Sequence, residues 1–243
     1  MSGRWLALDT GTDLASVAVG TPPLFESVTQ LVGQRAHAAA IVDLVDRCLR
    51  PLALRPGELV GVVVGDGPGG FTGLRIGWAA AKGIAQERGL PLVAIPSLLA
   101  AVAGAAAVLG PVPVAACFDA LRGDVFGAVY VVLPDRIETV VAPVTGTPSD
   151  LMARSPVRPR AVVVDGASVA AFAESWSGMP PLSPAALRPA AVSLLALKPL
   201  EGAGRLLEDL ATAEPEYGRQ AEAQARWEAR HGRPLPDPSR AGG

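Results

Sequence analysis

Two short stretches carry residue types that hold phosphate. Asp9-Thr10-Gly11-Thr12 sets a carboxylate, two hydroxyls and a glycine in consecutive positions. In a tight turn, backbone amides and hydroxyls cradle a phosphate, and a carboxylate at a strand end orients a hydrated divalent cation. The competing reading, a glycine turn with a capping aspartate, is the commoner use of so short a pattern. The second stretch, 65–73, has glycines at 65, 67, 69, 70 and 73 and a proline at 68. Gly67, Pro68, Gly69 and Gly70 let the backbone turn sharply and approach a neighbour closely.

The elements that must position these residues follow from the apolar pattern. Residues 59–64 form a nearly continuous apolar run, the pattern of a strand buried on both faces. Thr72 is a candidate N-cap, and 73–88 reads as a helix. Strand, glycine loop and helix N-terminus together would point amides and a positive dipole end at an anion. The loop formally matches GxGxxG. A dinucleotide site, however, wants that motif after the first strand, with an acid ending the second; here Glu87 lies inside the helix. A Walker sequence is absent.

Strands at 5–9 and 15–20 flank the turn Thr10-Gly11-Thr12-Asp13 as a hairpin, and a third strand spans 24–31. A helix at 36–49 carries Ala38, Ile41, Val42, Val45, Cys48 and Leu49 on its apolar face. A strand at 92–95 and an Ala-rich helix at 97–110 follow. The second half restarts with a strand at 112–119 ending in Asp119. Strands at 125–133 and 137–141, a short helix ending over 151–154, a strand at 161–165 and a helix at 167–176 come next. This repeats the plan of the first half. Helices are expected at 203–213 and 219–230, with a frayed tail at 231–243.

Composition excludes several classes. Half the residues are apolar and the net charge is −2, without the basic patch that direct nucleic-acid binding requires. Cys48 and Cys117 lack metal spacing and are expected as free thiols. Asp9 comes too early for a signal peptide. Residues 89–118 carry no charge, but Pro91, Pro96, Pro111 and Pro113 cut them into pieces too short to span a membrane. His37 and His231 are the only histidines. Ile41 stands where a helical two-His site needs its second ligand, and no nucleophile–base pair is visible. No catalytic residue and no metal site are therefore assigned. Gly73, Gly77, Ala81 and Ala85 form a stripe of small residues that admits either another helix or the chain's own sheet. Ile76, Ala80 and Ile84 form a second apolar stripe.

The strings LALDTGTDLASVAVG, RAHAAAIVDLV, GPGGFTGLRIGWAAAKGIA and DALRGDVFGAVY together resemble the TsaB (YeaZ) family, with a weaker echo in PEYGRQAEAQARWE. The resemblance implies an α/β, actin/Hsp70-like ATPase (ASKHA, RNase H-like) fold with two similar lobes, each a mixed sheet flanked by helices. The lobes are expected at 1–108 and 109–213, the end of the second packing back on the first, with a C-terminal helix and tail at 214–243. Asp9, Thr10, Gly11 and Thr12 would then be a degenerate first phosphate loop and Asp119 the second.

The family is the non-catalytic partner in bacterial synthesis of threonylcarbamoyladenosine on tRNA. Its catalytic relative TsaD carries HxxxH, where this chain reads His37-Ala38-Ala39-Ala40-Ile41. Leu121-Arg122 is bulky where a phosphate loop needs glycine, and the adenosine glycines are reduced to Asp165-Gly166-Ala167. The resemblance thus implies a cytoplasmic pseudo-enzyme with no cofactor of its own, ATP and metal being held by its partners. Those partners are TsaD and the ATPase TsaE, with a homodimer when alone and tRNA contacted only through the complex. The implied pairing surface comprises His37, Ile41, Val45, Thr72, Arg75, Ile76, Gly77, Ala80, Ala81 and Ile84. The rival reading is a small-molecule kinase of the same fold using Asp9 and Asp119.

Overall fold

The computed structural model describes residues 3–33, 37–120, 123–165, 178–218 and 230–232, with the backbone alone at 37–39. Two mixed sheets organise them. In the first, β1 (Trp5–Asp9), β2 (Leu14–Gly20) and β3 (Ser27–Val32) form an antiparallel meander. On the other side of β1, β4 (Gly61–Gly65) and β5 (Leu92–Ile95) add in parallel. In the second, β6 (Val114–Asp119), β7 (Val125–Val132) and β8 (Ile137–Gly146) form the meander. Here β9 (Ala161–Val164) and β10 (Pro181–Leu182) add in parallel. The orders β3-β2-β1-β4-β5 and β8-β7-β6-β9-β10 coincide, so the repeat read from element order is a repeat of topology. It places Asp9 and Asp119 at equivalent strand ends.

Five helices cover the sheet faces among the described residues: α1 (His37–Leu49), α2 (Phe71–Arg88), α3 (Ser97–Leu109), α4 (Pro148–Arg154) and α5 (Ala190–Leu197). Alternation along each strand feeds two cores at once. Leu6, Leu8, Val62 and Val64 face α1 and α2. Trp5, Ala7 and Val63 face the opposite way and join α3, α5, Ala116 and Phe118 in a core shared by both sheets. Ala115, Cys117 and Val162 close a third core over α4. A sheet covered on both faces selects continuous apolar strands, which is why GVVVG and VAACF lack polar positions. The uncharged stretch noted above is β5, α3 and the start of β6, with the small residues Ala100, Gly104 and Ala105 fully buried in α3. No helix among the described residues is long and apolar enough to cross a membrane.

Several expected elements differ. The third strand begins at Ser27, and β8 runs on to Gly146. In α1, Val42 points outward at 74% exposure, whereas the rest of its described apolar face is buried. The helix expected over 203–213 does not form: β11 (Arg205–Leu206) pairs antiparallel with β5 at the edge of the first sheet. The Leu207 amide donates to the Leu92 carbonyl at 2.9 Å. The leucine spacing there mimics a helical face, but edge pairing to β5 overrides local propensity. The helix at 167–176 and nearly all of that at 219–230 lie outside the described residues.

Candidate functional site

Helix α2 begins at Phe71, and its N-cap is Gly70 rather than Thr72. The Leu74 amide donates to the Gly70 carbonyl at 2.9 Å, closing the first turn two residues earlier than the sequence suggests. Thr72 therefore sits exposed within that turn.

The loop before α2 turns its hydrogen-bonding groups inward. The Asp66 amide donates to the Ile95 carbonyl at 2.8 Å and the Gly70 amide to the Gly11 carbonyl at 2.7 Å. The Gly67 amide reaches Ser97 Oγ at 3.3 Å, and the Ser97 amide returns a 2.8 Å bond to the Gly67 carbonyl. Gly67 has φ +95°, a left-handed conformation that favours glycine. A side chain there would strike the Glu216 carbonyl, and one at Gly69 would strike the Gly11 carbonyl. These glycines make room for the chain's own backbone.

The carboxylate of Asp9 is 2% exposed at the end of β1. Its Oδ1 accepts from the Gly11 amide at 3.2 Å and its Oδ2 from the Ser97 hydroxyl at 2.7 Å. The Thr10 hydroxyl donates to the Gly73 carbonyl at 2.7 Å, and Thr12 Oγ1 accepts from the Leu14 amide at 3.2 Å. At the equivalent end of β6, the Asp119 amide donates to Asp165 Oδ2 at 2.8 Å. Leu121, Arg122, Gly166 and Ala167 lie outside the described residues.

Between the sheets lies a small cleft of about 30 Å³, lined by Asp9, Thr12, Ser97, Phe118, Leu187 and Arg188 among others. The Thr10 and Thr12 hydroxyls and the Gly11 amide are hydrogen-bonded within the chain, and Asp9 and Arg188 are the one acid and the one base among the described lining residues. Among the described residues no three His, Cys, Asp or Glu side chains gather in a group able to hold a metal. Cys48 and Cys117 are both buried, and burial pushes both thiols up from their ordinary range.

A further contact was invisible in the sequence. Arg205 makes a two-pronged bond to Asp66, at 2.9 and 3.0 Å across 139 positions. That bond is the first cause holding the guanidinium above its ordinary pKa. No local motif joins the two residues; only the edge pairing of β11 brings them together.

The expected interface residues separate into two sets. Ile41 and Val45 on α1 and Gly77 and Ala81 on α2 are buried against the first sheet. A side chain at Gly77 would strike the Thr10 hydroxyl. The small-residue stripe thus faces the chain's own sheet, because α2 must approach the β1–β2 turn closely, and these four residues are not open to a partner. Thr72 and Arg75 are exposed, and Ile76, Ala80 and Ile84 are half-buried. The side chain of His37 lies outside the described part. Val42 is the exposed apolar residue of α1 that was assigned inward.

The family model described as "TsaD: tRNA N6-adenosine threonylcarbamoyltransferase" matches residues 30–213. The chain is 33% identical over 127 residues to the Escherichia coli "tRNA threonylcarbamoyladenosine biosynthesis protein TsaB", covering 52% of this chain and 54% of that protein. The chain belongs to this family, as a TsaB (YeaZ) member. The Bacillus subtilis protein of the same name is 30% identical over 141 residues, covering 56% of this chain and 58% of its own length. The chain thus spans little more than half the length of these curated relatives. A crystal structure of a Pseudomonas aeruginosa protein with similarity to peptidase YeaZ is 26% identical and superposes with a TM-score of 0.73, covering 90% of this chain and 100% of that one. YeaZ from the same organism gives 0.71 at 24% identity, covering 89% and 100% of the respective chains. The fold is the actin/Hsp70-like ATPase fold, with two mixed sheets flanked by helices.

Proposed function

We propose that the chain is a non-catalytic subunit in the biosynthesis of N6-threonylcarbamoyladenosine on tRNA. It would pair with the catalytic subunit TsaD and with the ATPase TsaE. The observation that carries the non-catalytic reading is the closure of the first phosphate loop against the glycine loop. The Gly11 amide bonds Asp9, the Thr10 hydroxyl bonds the Gly73 carbonyl and the Gly70 amide bonds the Gly11 carbonyl, so these donors serve the fold. The names borne by its curated relatives support the pathway.

The pairing surface is the outward side of α1 and α2, with Val42, Thr72, Arg75, Ile76, Ala80 and Ile84. Alone, the chain uses the same surface to form a homodimer. ATP and metal belong to the partner subunits, and tRNA is met only through the complex, consistent with a net charge of −2, which gives no general attraction to a phosphate backbone. The workplace is the cytoplasm, where tRNA is modified.

Reconstitution tests this. The chain with TsaD and TsaE supports tRNA modification, and the chain alone does not. Full activity of TsaD and TsaE without it overturns the role. Tight binding of MgATP to the isolated chain, measured by calorimetry, overturns the decayed-site reading in favour of a kinase.

A further inference from the structure

Residues 205–218 leave the edge of the first sheet and run beside α2 toward its N-terminus. Leu207, Leu210 and Ala213 pack into the core under α2, and Lys82 Nζ donates to the Ala213 carbonyl at 2.9 Å. The segment then engages the glycine loop. Arg205 holds Asp66 with two bonds and donates to the Glu214 carbonyl at 3.0 Å. The Glu216 amide donates to the Asp66 carbonyl at 2.8 Å. The Tyr217 ring lies 4.6 Å from Phe71 in the first turn of α2, and its hydroxyl accepts from Arg75 Nε at 3.1 Å.

The segment does not stop at the first sheet. Gly218, at φ +71°, is wedged where a side chain would lie 2.7 Å from both Pro68 and Phe126. Phe126 belongs to β7 of the second sheet. The hydroxyl of Thr145, on β8, donates to the Gly218 carbonyl at 3.1 Å. One short stretch is thus tied to the glycine loop of one sheet and to two strands of the other.

We propose that residues 205–218 are a clasp that fixes the angle between the two sheets. The two-sheet unit is joined through the core around α3 and α5, which includes Phe126, and two layers joined at one core can hinge about it. The clasp adds a second tie, from the glycine loop to Phe126 and Thr145. The ion pair Asp66–Arg205 anchors it at one end, and Thr145 with Phe126 anchors it at the other. The cleft holding Asp9 and Arg188 is thereby kept at one opening. The inference stands on the contacts alone and does not depend on the pathway proposed above.

The test uses the full chain with Arg205→Ala, Arg205→Lys, Thr145→Val and, as a control, Arg136→Ala, which removes two exposed ion pairs, to Asp135 and Glu138, at the start of β8. Arg205→Lys keeps the charge and loses the fork, so it serves if Arg205→Ala does not fold. Hydrogen exchange is followed peptide by peptide. Spin labels at Val32→Cys and Val157→Cys, exposed positions on the two lobes, report the distance between sheets. Loss of either anchor is expected to speed exchange about tenfold at both distant ends, 65–70 and 143–146, and to broaden the distance distribution. The control changes neither. Exchange that rises only next to the substituted residue, with an unchanged distance distribution, overturns the clasp.

Discussion

Ser97 donates to the buried carboxylate of Asp9 at 2.7 Å, joining the end of β1 to the first residue of α3 across 88 positions. Gly65 borders the same pair, and a side chain there would strike Asp9 Oδ2 and lie 2.8 Å from Ser97 Oγ. The Asp9 carboxylate is therefore a structural node linking β1, β4 and α3. Ser97→Ala removes one donor from that carboxylate, and losing a hydrogen bond to a buried charged group costs about 1–3 kcal/mol. The denaturant midpoint is expected to fall without a change in slope. An unchanged midpoint would show that the Asp9 carboxylate does not depend on this bond.

Gly77 tests which way the small-residue stripe faces. Because α2 lies against the Thr10 hydroxyl at Gly77, Gly77→Leu forces the helix off its sheet. Overpacking of a closed core costs about 1–3 kcal/mol and sometimes more, so the monomer loses stability. Ala79, exposed on the opposite side of α2, accepts Leu within about 0.5 kcal/mol. Thermal unfolding of the two variants side by side makes the comparison. Equal, small losses would return the stripe to the surface.

The legible part of this chain was the part governed by local periodicity. β1 and β5 fall at their observed bounds because apolar runs flanked by Asp, Gly or Pro have few other solutions. The duplicated topology followed from two strands that each end in aspartate. What stayed hidden depends on long-range packing. Nothing near Gly77 says that its neighbour is Thr10 rather than a second protein, and nothing near Asp66 announces Arg205. Leu206 and Leu207 looked helical because their spacing is ambiguous, and only the open edge of β5 decides it. The glycine loop reads as an anion cradle by composition, yet the same amides satisfy Gly11, Ile95 and Ser97.

Val42 separates folding from association. At 74% exposure it makes little contact within the chain, so Val42→Glu is expected to change stability by no more than about 0.5 kcal/mol. If the outward side of α1 and α2 is the pairing surface, a charge placed there weakens association about tenfold or more. Sedentary stability with a shifted dissociation constant for TsaD, read by calorimetry, is the expected pair of results. Unchanged binding moves the interface elsewhere.

Alkaline pH supplies a test of the core shared by the two sheets. Tyr130 is 3% exposed on β7, and burial pushes its phenol up from 10.0 to about 12. Between those values the unfolded chain has released the proton and the folded chain still holds it. The folded state then binds more protons, so stability falls as pH rises. The contribution is complete below pH 10 and is eroded by about 2–3 kcal/mol on reaching the upper value. Cys117, whose thiol burial also pushes up from 9.0, acts in the same direction from a lower starting pH. The chain has two tyrosines, so in a Tyr217→Phe background phenolate absorbance reports Tyr130 alone. That absorbance should stay low through pH 10 and rise together with, or after, loss of the folded state. Phenolate forming near pH 10 in a chain whose denaturant midpoint has not moved would mean that water reaches Tyr130 between the sheets.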